Sequence, residues 1–146
     1  MVLPQRPYLP IGTLEAALTY PSVAGTFARD RIRDALIAVG LPAFAMRLAE
    51  DAHWNRLLSL GEQQRLALAR AILHAPDYLF LDEATASLDE AAETALYRLM
   101  QERLPKAAIV SIGHRSTLRA FHRRRLTLAR EGDRQRLRED ALAAAE

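Results

Sequence analysis

The chain has 146 residues, half of them hydrophobic and 26% charged, a balance that suits one globular domain or part of one and excludes a disordered chain. The formal net charge of +2, from 20 Lys and Arg against 18 Asp and Glu, is too small to argue for a nucleic-acid partner, and the absence of cysteine excludes a disulfide framework or thiolate metal site. The longest apolar runs, 78–81 and 107–112, fall far short of the roughly 18 residues of a membrane span, and Met1-Val2-Leu3-Pro4-Gln5 lacks the basic start and long apolar core of a signal peptide.

Three prolines between Leu3 and Pro10 predict an extended loop at the start. Residues 13–18 then predict a short helix with Thr13 as its N-cap, stopped at Tyr20-Pro21. Residues 26–39 predict a longer helix, with Phe27, Ile32, Ala35, Leu36 and Val39 roughly on one face and Gly40 at its end. Another short helix is expected over 41–48. A strong helical run over 62–73 follows Gly61 and ends before Pro76.

The continuous apolar run Tyr78-Leu79-Phe80-Leu81, closed by Asp82, predicts a buried strand. A helix over 88–104 and a second buried strand over 107–112 come next. Arg125-Leu126-Thr127-Leu128 alternates as an edge strand would, and 134–146 reads as a charged terminal helix. Strand, helix, strand in this order implies a parallel pair joined by a crossover helix, so the fold class is α/β. In such sheets ligands bind beyond the carboxyl ends of the strands. Asp82 and Glu83 stand at one such end, and Gly113 and His114 at the next.

Four clusters carry chemistry. In Leu58-Ser59-Leu60-Gly61-Glu62-Gln63-Gln64-Arg65, a hydroxyl and a glycine precede a helix whose first N–H groups attract phosphate, although Ser-x-x-Glu is also an ordinary capping box. Asp82 at a strand end suits Mg²⁺, and Glu83 beside it could polarise an attacking water; the alternative is a pair of solvated acids. Ser87-Leu88-Asp89 could simply start a helix. His114 follows the strand predicted to neighbour the acidic one.

Taken together and in this order, these clusters resemble the ABC ATPase family from about residue 3 to residue 129. Leu58 to Arg65 resembles the family signature, with Leu60 in place of the first glycine of the commonest form. Leu79-Phe80-Leu81-Asp82-Glu83 resembles Walker B with its catalytic glutamate. Ser87-Leu88-Asp89 resembles the D-loop, His114 the switch histidine, and Gln5 the Q-loop glutamine that links metal and permease. The signature, with His53-Trp54 before it, is similar to bacterial fused permease–ATPase proteins related to the peroxisomal fatty-acyl transporters, including the peptide-uptake group.

The resemblance implies a partial P-loop NTPase fold: a parallel sheet core with a helical signature subdomain. It places the ATP-binding portion over 1–130, with the helical subdomain at about 11–75, the Walker B, D-loop and histidine core at about 76–130, and a charged tail at 131–146. It implies ATP and Mg²⁺ as ligands. Glu83 and His114 are then catalytic, Asp82 and Gln5 serve the metal, and Gln5, Ser59, Gly61, Glu62 and Asp89 serve the nucleotide. The implied partners are a transmembrane permease and a second nucleotide-binding domain arranged head to tail, each signature meeting the ATP of the other. The implied place is the cytoplasmic face of the inner membrane, reached through the permease.

No G-x-x-x-x-G-K-[ST] sequence occurs, and the only lysine is Lys106. That loop and its lysine cradle the phosphates in P-loop ATPases. The chain is therefore expected to be a fragment without Walker A and the N-terminal strands, inactive alone, with an exposed sheet edge and an uncovered apolar face. Two other readings stand beside it. One is a non-catalytic remnant or partner-binding fragment. The other is a DNA-repair-type ABC ATPase, against which stands the ordinary spacing from Gln5 to Ser59, without sustained heptads. Arg123-Arg124-Arg125 lacks an aromatic stacking platform, so no nucleic acid is expected.

Overall fold

The computed structural model describes residues 1–132 and 134–140. The chain divides into two compact units, Met1–Gly113 and His114–Glu146.

In the first unit Val2–Pro4 (β1) opens the chain, and the two-residue strand Gly12–Thr13 (β2) leads into the helix Leu14–Thr19 (α1). Thr13 caps that helix as predicted, its Oγ1 accepting the Ala16 N–H at 3.2 Å. Next comes Arg29–Ala38 (α2). It starts later than residue 26 because Thr26 closes a turn instead, donating from Oγ1 to the Val23 carbonyl at 2.7 Å. The expected helix over 41–48 shrinks to the 3-10 turn Pro42–Phe44. Asp51–Ala52 (β3) pairs antiparallel with β2 and is followed by the single turn Trp54–Leu57 (α3). Then come Leu60–His74 (α4), Tyr78–Asp82 (β4), Glu90–Arg103 (α5) and Ala108–Ile112 (β5).

The end of α2 shows why Gly40 is glycine. Gly40 N–H donates to the Ile37 carbonyl at 3.0 Å and Leu41 N–H to the Leu36 carbonyl at 2.8 Å, the paired bonds of a Schellman cap. Gly40 takes φ 80°, and a Cβ there would lie 2.8 Å from Arg65 Nη1, which itself donates to the Val39 carbonyl at 3.0 Å. Gly40→Ala is expected to lower stability by roughly 1–2 kcal/mol, read as a reduced urea midpoint with an unchanged slope. A variant as stable as the parent would contradict this account of the helix end.

The parallel sheet has the order β1-β4-β5, and Val2–Pro4 is a strand rather than the predicted loop. The missed strand has a plain cause: Pro4 lacks an N–H, yet a terminal position on an edge strand tolerates that. Leu3 pairs with Leu81 and Leu81 with Ser111, so these residues share one face of the sheet. On it Leu3, Leu79 and Leu81 are buried, and Tyr97 of α5 reaches down to donate to Ser111 Oγ at 2.8 Å. Burial raises the Tyr97 pKa, which keeps its hydroxyl a donor.

The opposite face carries Val2, Tyr78, Phe80, Val110 and Ile112, all exposed. The expected fully buried strands are therefore half-buried: only alternate residues of the apolar runs are covered. An uncovered apolar face is what the sequence predicts. The helical layer packs more completely: α4 lies against α1 and α2 and buries Leu66, Ala67, Leu68, Ala69, Ala71 and Leu73. Each leucine so covered contributes roughly 1.5–3 kcal/mol.

In the second unit a 3-10 segment, Ser116–Phe121, precedes Arg125–Glu131 (β6) and Arg134–Asp140 (β7). The alternation at 125–128 does mark a strand, but its partner is β7, antiparallel, with Leu128 opposite Leu137. The helix expected over 134–146 is overturned for 134–140, and 141–146 lie outside the described residues. Arg, Gln, Leu and Glu favour helix by propensity. Here cross-strand pairing prevails: Arg124 holds Glu139 through two bonds of 2.6 and 2.9 Å, and Arg138 meets Glu131 at 2.6 Å. Gly132 at φ 62° supplies the left-handed turn residue.

Candidate functional site

The carboxyl ends of the three parallel strands lie level. Pro4 is in register with Asp82, and Asp82 with Ile112. Gln5, Glu83 and Gly113 are the residues that leave these ends. The sheet therefore brings Gln5, Asp82 and Glu83 to one rim, where a parallel α/β sheet binds ligands. Asp82 is exposed and, by strand alternation, belongs to the face of Phe80.

Glu83 takes φ 50°, a left-handed conformation that is uncommon for a residue with a Cβ. The turn is held from both sides: Glu83 N–H donates to the Ile112 carbonyl at 3.0 Å, and its own carbonyl accepts from Ala86 N–H at 3.0 Å. Strain of this kind costs about 1–3 kcal/mol and concentrates at functional positions. Just beyond, buried Thr85 donates to buried Glu93 of α5 at 2.6 Å, which fixes the loop to the crossover helix.

The signature-like residues sit at the start of α4. Ser59 is its N-cap and forms a complete capping box: Glu62 N–H donates to Ser59 Oγ at 3.3 Å, while Ser59 N–H and Oγ donate to Glu62 Oε2 at 2.8 and 2.7 Å. Asp89 likewise caps α5, accepting the Ala92 N–H at 2.7 Å. Gly61 is glycine because of a close approach: a Cβ there would lie 3.3 Å from Leu88 Cδ2 and 3.7 Å from the Ser87 carbonyl oxygen. The Ser87-Leu88-Asp89 loop thus rests on the first turn of α4.

Arg6 and Pro7, after Gln5, line an open cleft of about 360 Å³ with Asn55, Leu60 and Gln63. His114 is exposed, lies outside regular structure and opens the second unit directly after Gly113. Among the described residues there is no cluster of three or more His, Cys, Asp or Glu that could cage a metal ion. Asp82 and Glu83 are adjacent oxygen donors of the kind that Mg²⁺ takes, one or two at a time. No helix among the described residues is long and apolar enough to cross a membrane.

Sequence reasoning places Gln64 within the signature-like segment without a role of its own and does not single out Arg70; both are buried polar residues of α4. Their signal was present: each stands among residues that the helical period assigns to the core.

Residues 8–86, more than half of the chain, match the family model described as ABC transporter. An uncharacterized ABC transporter ATP-binding protein of Haemophilus influenzae is 47% identical over 135 residues, covering 92% of this chain and 23% of its own length. ABC transporter D family member 2, chloroplastic, of Arabidopsis thaliana is 35% identical, covering 88% of this chain and 22% of its own. The structure of a bacterial Atm1-family ABC exporter with ATP bound matches with a TM-score of 0.68 at 27% identity, over 80% of this chain and 21% of that one. The chain thus spans about a fifth of the length of the relatives it matches.

Proposed function

The chain belongs to the ABC transporter family, and from that premise we propose that its residues form the signature- and Walker B-bearing portion of an ATP-binding domain that couples ATP hydrolysis to transmembrane transport. The observation that carries this reading is the level strand rim with Glu83 held at φ 50° beside Asp82. Asp82 would serve Mg²⁺ and its waters. Glu83 would orient or deprotonate the attacking water, and His114 would steady the γ-phosphate. Mg²⁺ bound with ATP would neutralise charge on the β- and γ-phosphates.

Ser59, Gly61 and Glu62 would face the ATP of a second nucleotide-binding domain, with Asp89 beside them. Gln5 would answer to both the metal and a permease docked at the cleft behind it. Such a permease would hold the chain at the cytoplasmic face of the membrane. The capping box engages the Ser59 hydroxyl and the N–H groups of Ser59 and Glu62, so a nucleotide bound there would have to take these donors over from the box.

These 146 residues contain no phosphate loop, and the exposed face of Phe80, Val110 and Ile112 supports dependence on further protein. By themselves they are expected to bind Mg-ATP with a Kd no tighter than about 1 mM, which is about 4 kcal/mol of binding free energy. Isothermal titration should give no saturable heat below that concentration. Micromolar binding would contradict the assignment of the phosphate cradle to a segment outside these residues.

A further inference from the structure

Gln64 is 1% exposed, in the second turn of α4. Its Nε2 donates to the Gln5 carbonyl at 3.0 Å, and its Oε1 accepts the Ser87 N–H at 3.2 Å. One carboxamide therefore joins the backbones of two loops that are far apart in sequence, and it does so from the helix that carries the signature. A carboxamide is suited to the task because it offers a donor and an acceptor at opposite corners of one rigid plane.

Arg70, on the same helix, completes the fastening of the first loop. It is 6% exposed, and its Nη2 donates to the carbonyls of Tyr8 at 3.1 Å and Ala17 at 2.5 Å. The Gln5 segment is thus fastened to α4 at two points, Gln5 to Gln64 and Tyr8 to Arg70. Burial lowers the Arg70 pKa to about 10, so the guanidinium still carries its charge and its donors at neutral pH.

We propose that Gln64 is a positioning residue that ties the Gln5 segment to the Ser87 turn, so that the two loops shift together and not singly. Moving either loop would pull the carboxamide from its partner on the other, leaving a buried polar group unpaired. The functional consequence rests on the reading of these loops as nucleotide-responsive; the linkage itself does not.

The test is residue-resolved amide exchange and NMR chemical shift on the 146-residue chain, without nucleotide. The Ser87 amide reports one end of the link. The Arg6 amide, in the peptide unit whose carbonyl accepts from Gln64, reports the other. Gln64→Leu removes both ends, and Ser87 exchange is expected to rise about threefold to tenfold, the usual net worth of one such hydrogen bond. Gln64→Glu keeps an acceptor for Ser87 but sets an acceptor against the Gln5 carbonyl. If the ends are coupled, it shifts the Arg6 amide and also accelerates Ser87 exchange. The Met100 amide inside α5 reports the global fold and is expected unchanged; should Gln64→Leu accelerate it, Gln64→Met, closer in length, gives the same comparison. Ser87 protection equal to the parent's in Gln64→Leu or Gln64→Met would overturn the link. A Gln64→Glu variant with a shifted Arg6 amide and parental Ser87 exchange would overturn the coupling. No ATP enters the measurement, so failure of the ATPase reading leaves its outcome intact.

Discussion

Glu83→Gln is expected to slow ATP turnover by about 10²–10⁴-fold while leaving Mg-ATP binding close to the parent's, the usual worth of general-base chemistry. The setting is a chimera in which these residues replace the matching stretch of the Haemophilus influenzae relative, an ABC transporter ATP-binding protein of which they cover 23%. The substitution keeps the shape and removes the charge. It also leaves the two backbone bonds of the turn, from Glu83 N–H to Ile112 and from Ala86 N–H to the Glu83 carbonyl, because neither uses the side chain. Asp82→Asn, one residue earlier on the strand, is expected instead to weaken Mg²⁺-dependent nucleotide binding. The two acids separate because one ends β4 and the other leaves it in a left-handed turn. Steady-state hydrolysis measured beside nucleotide binding distinguishes the roles. Hydrolysis by Glu83→Gln at the parent rate would remove Glu83 from the chemistry.

The second large effect is on stability. Trp54→Ala is expected to cost about 3–5 kcal/mol, because it empties a full indole site. Trp54 is 1% exposed, donates from Nε1 to the Gly12 carbonyl at 3.0 Å, and packs edge-on to Phe44 at 6.3 Å. Arg47 lies over both rings, at 5.2 Å from Phe44 and 5.3 Å from Trp54, and Glu50 holds its guanidinium through two bonds of 2.7 Å. This one side chain joins β2, the Pro42–Phe44 turn and the approach to α4. Trp54→Phe keeps a ring but loses the bond to Gly12, and should cost less than the alanine variant. Urea unfolding of the parent and both variants checks the order. A loss below about 1 kcal/mol for Trp54→Ala would contradict the packing described, since surface substitutions fall in that range.

Much of this was legible in the residues. Where local chemistry and tertiary packing agree, the reading held: Thr13 caps α1, Pro76 follows the end of α4, and the run closed by Asp82 is β4. It failed where they part. Residues 134–140 carry helix-favouring side chains, yet pairing with β6 makes them a strand. The apolar runs of β4 and β5 read as wholly buried because continuity in a sequence cannot tell which face is covered. At the rim, Asp82 and Glu83 were visible as a pair of acids, but the φ of Glu83 and the bridging by Gln64 depend on contacts distant in sequence. A glutamine in a helical period reads only as a polar interruption until its two partners are placed.

The most direct test of the central claim is ATP hydrolysis by the unsubstituted chimera, measured together with Mg-ATP binding and compared with the Haemophilus influenzae host. If these residues supply a working signature, metal carboxylate and water-orienting glutamate, hydrolysis should stay within about tenfold of the host, a difference of about 1.4 kcal/mol in barrier. A chimera that folds and binds Mg-ATP as the host does, yet hydrolyses none, would contradict it.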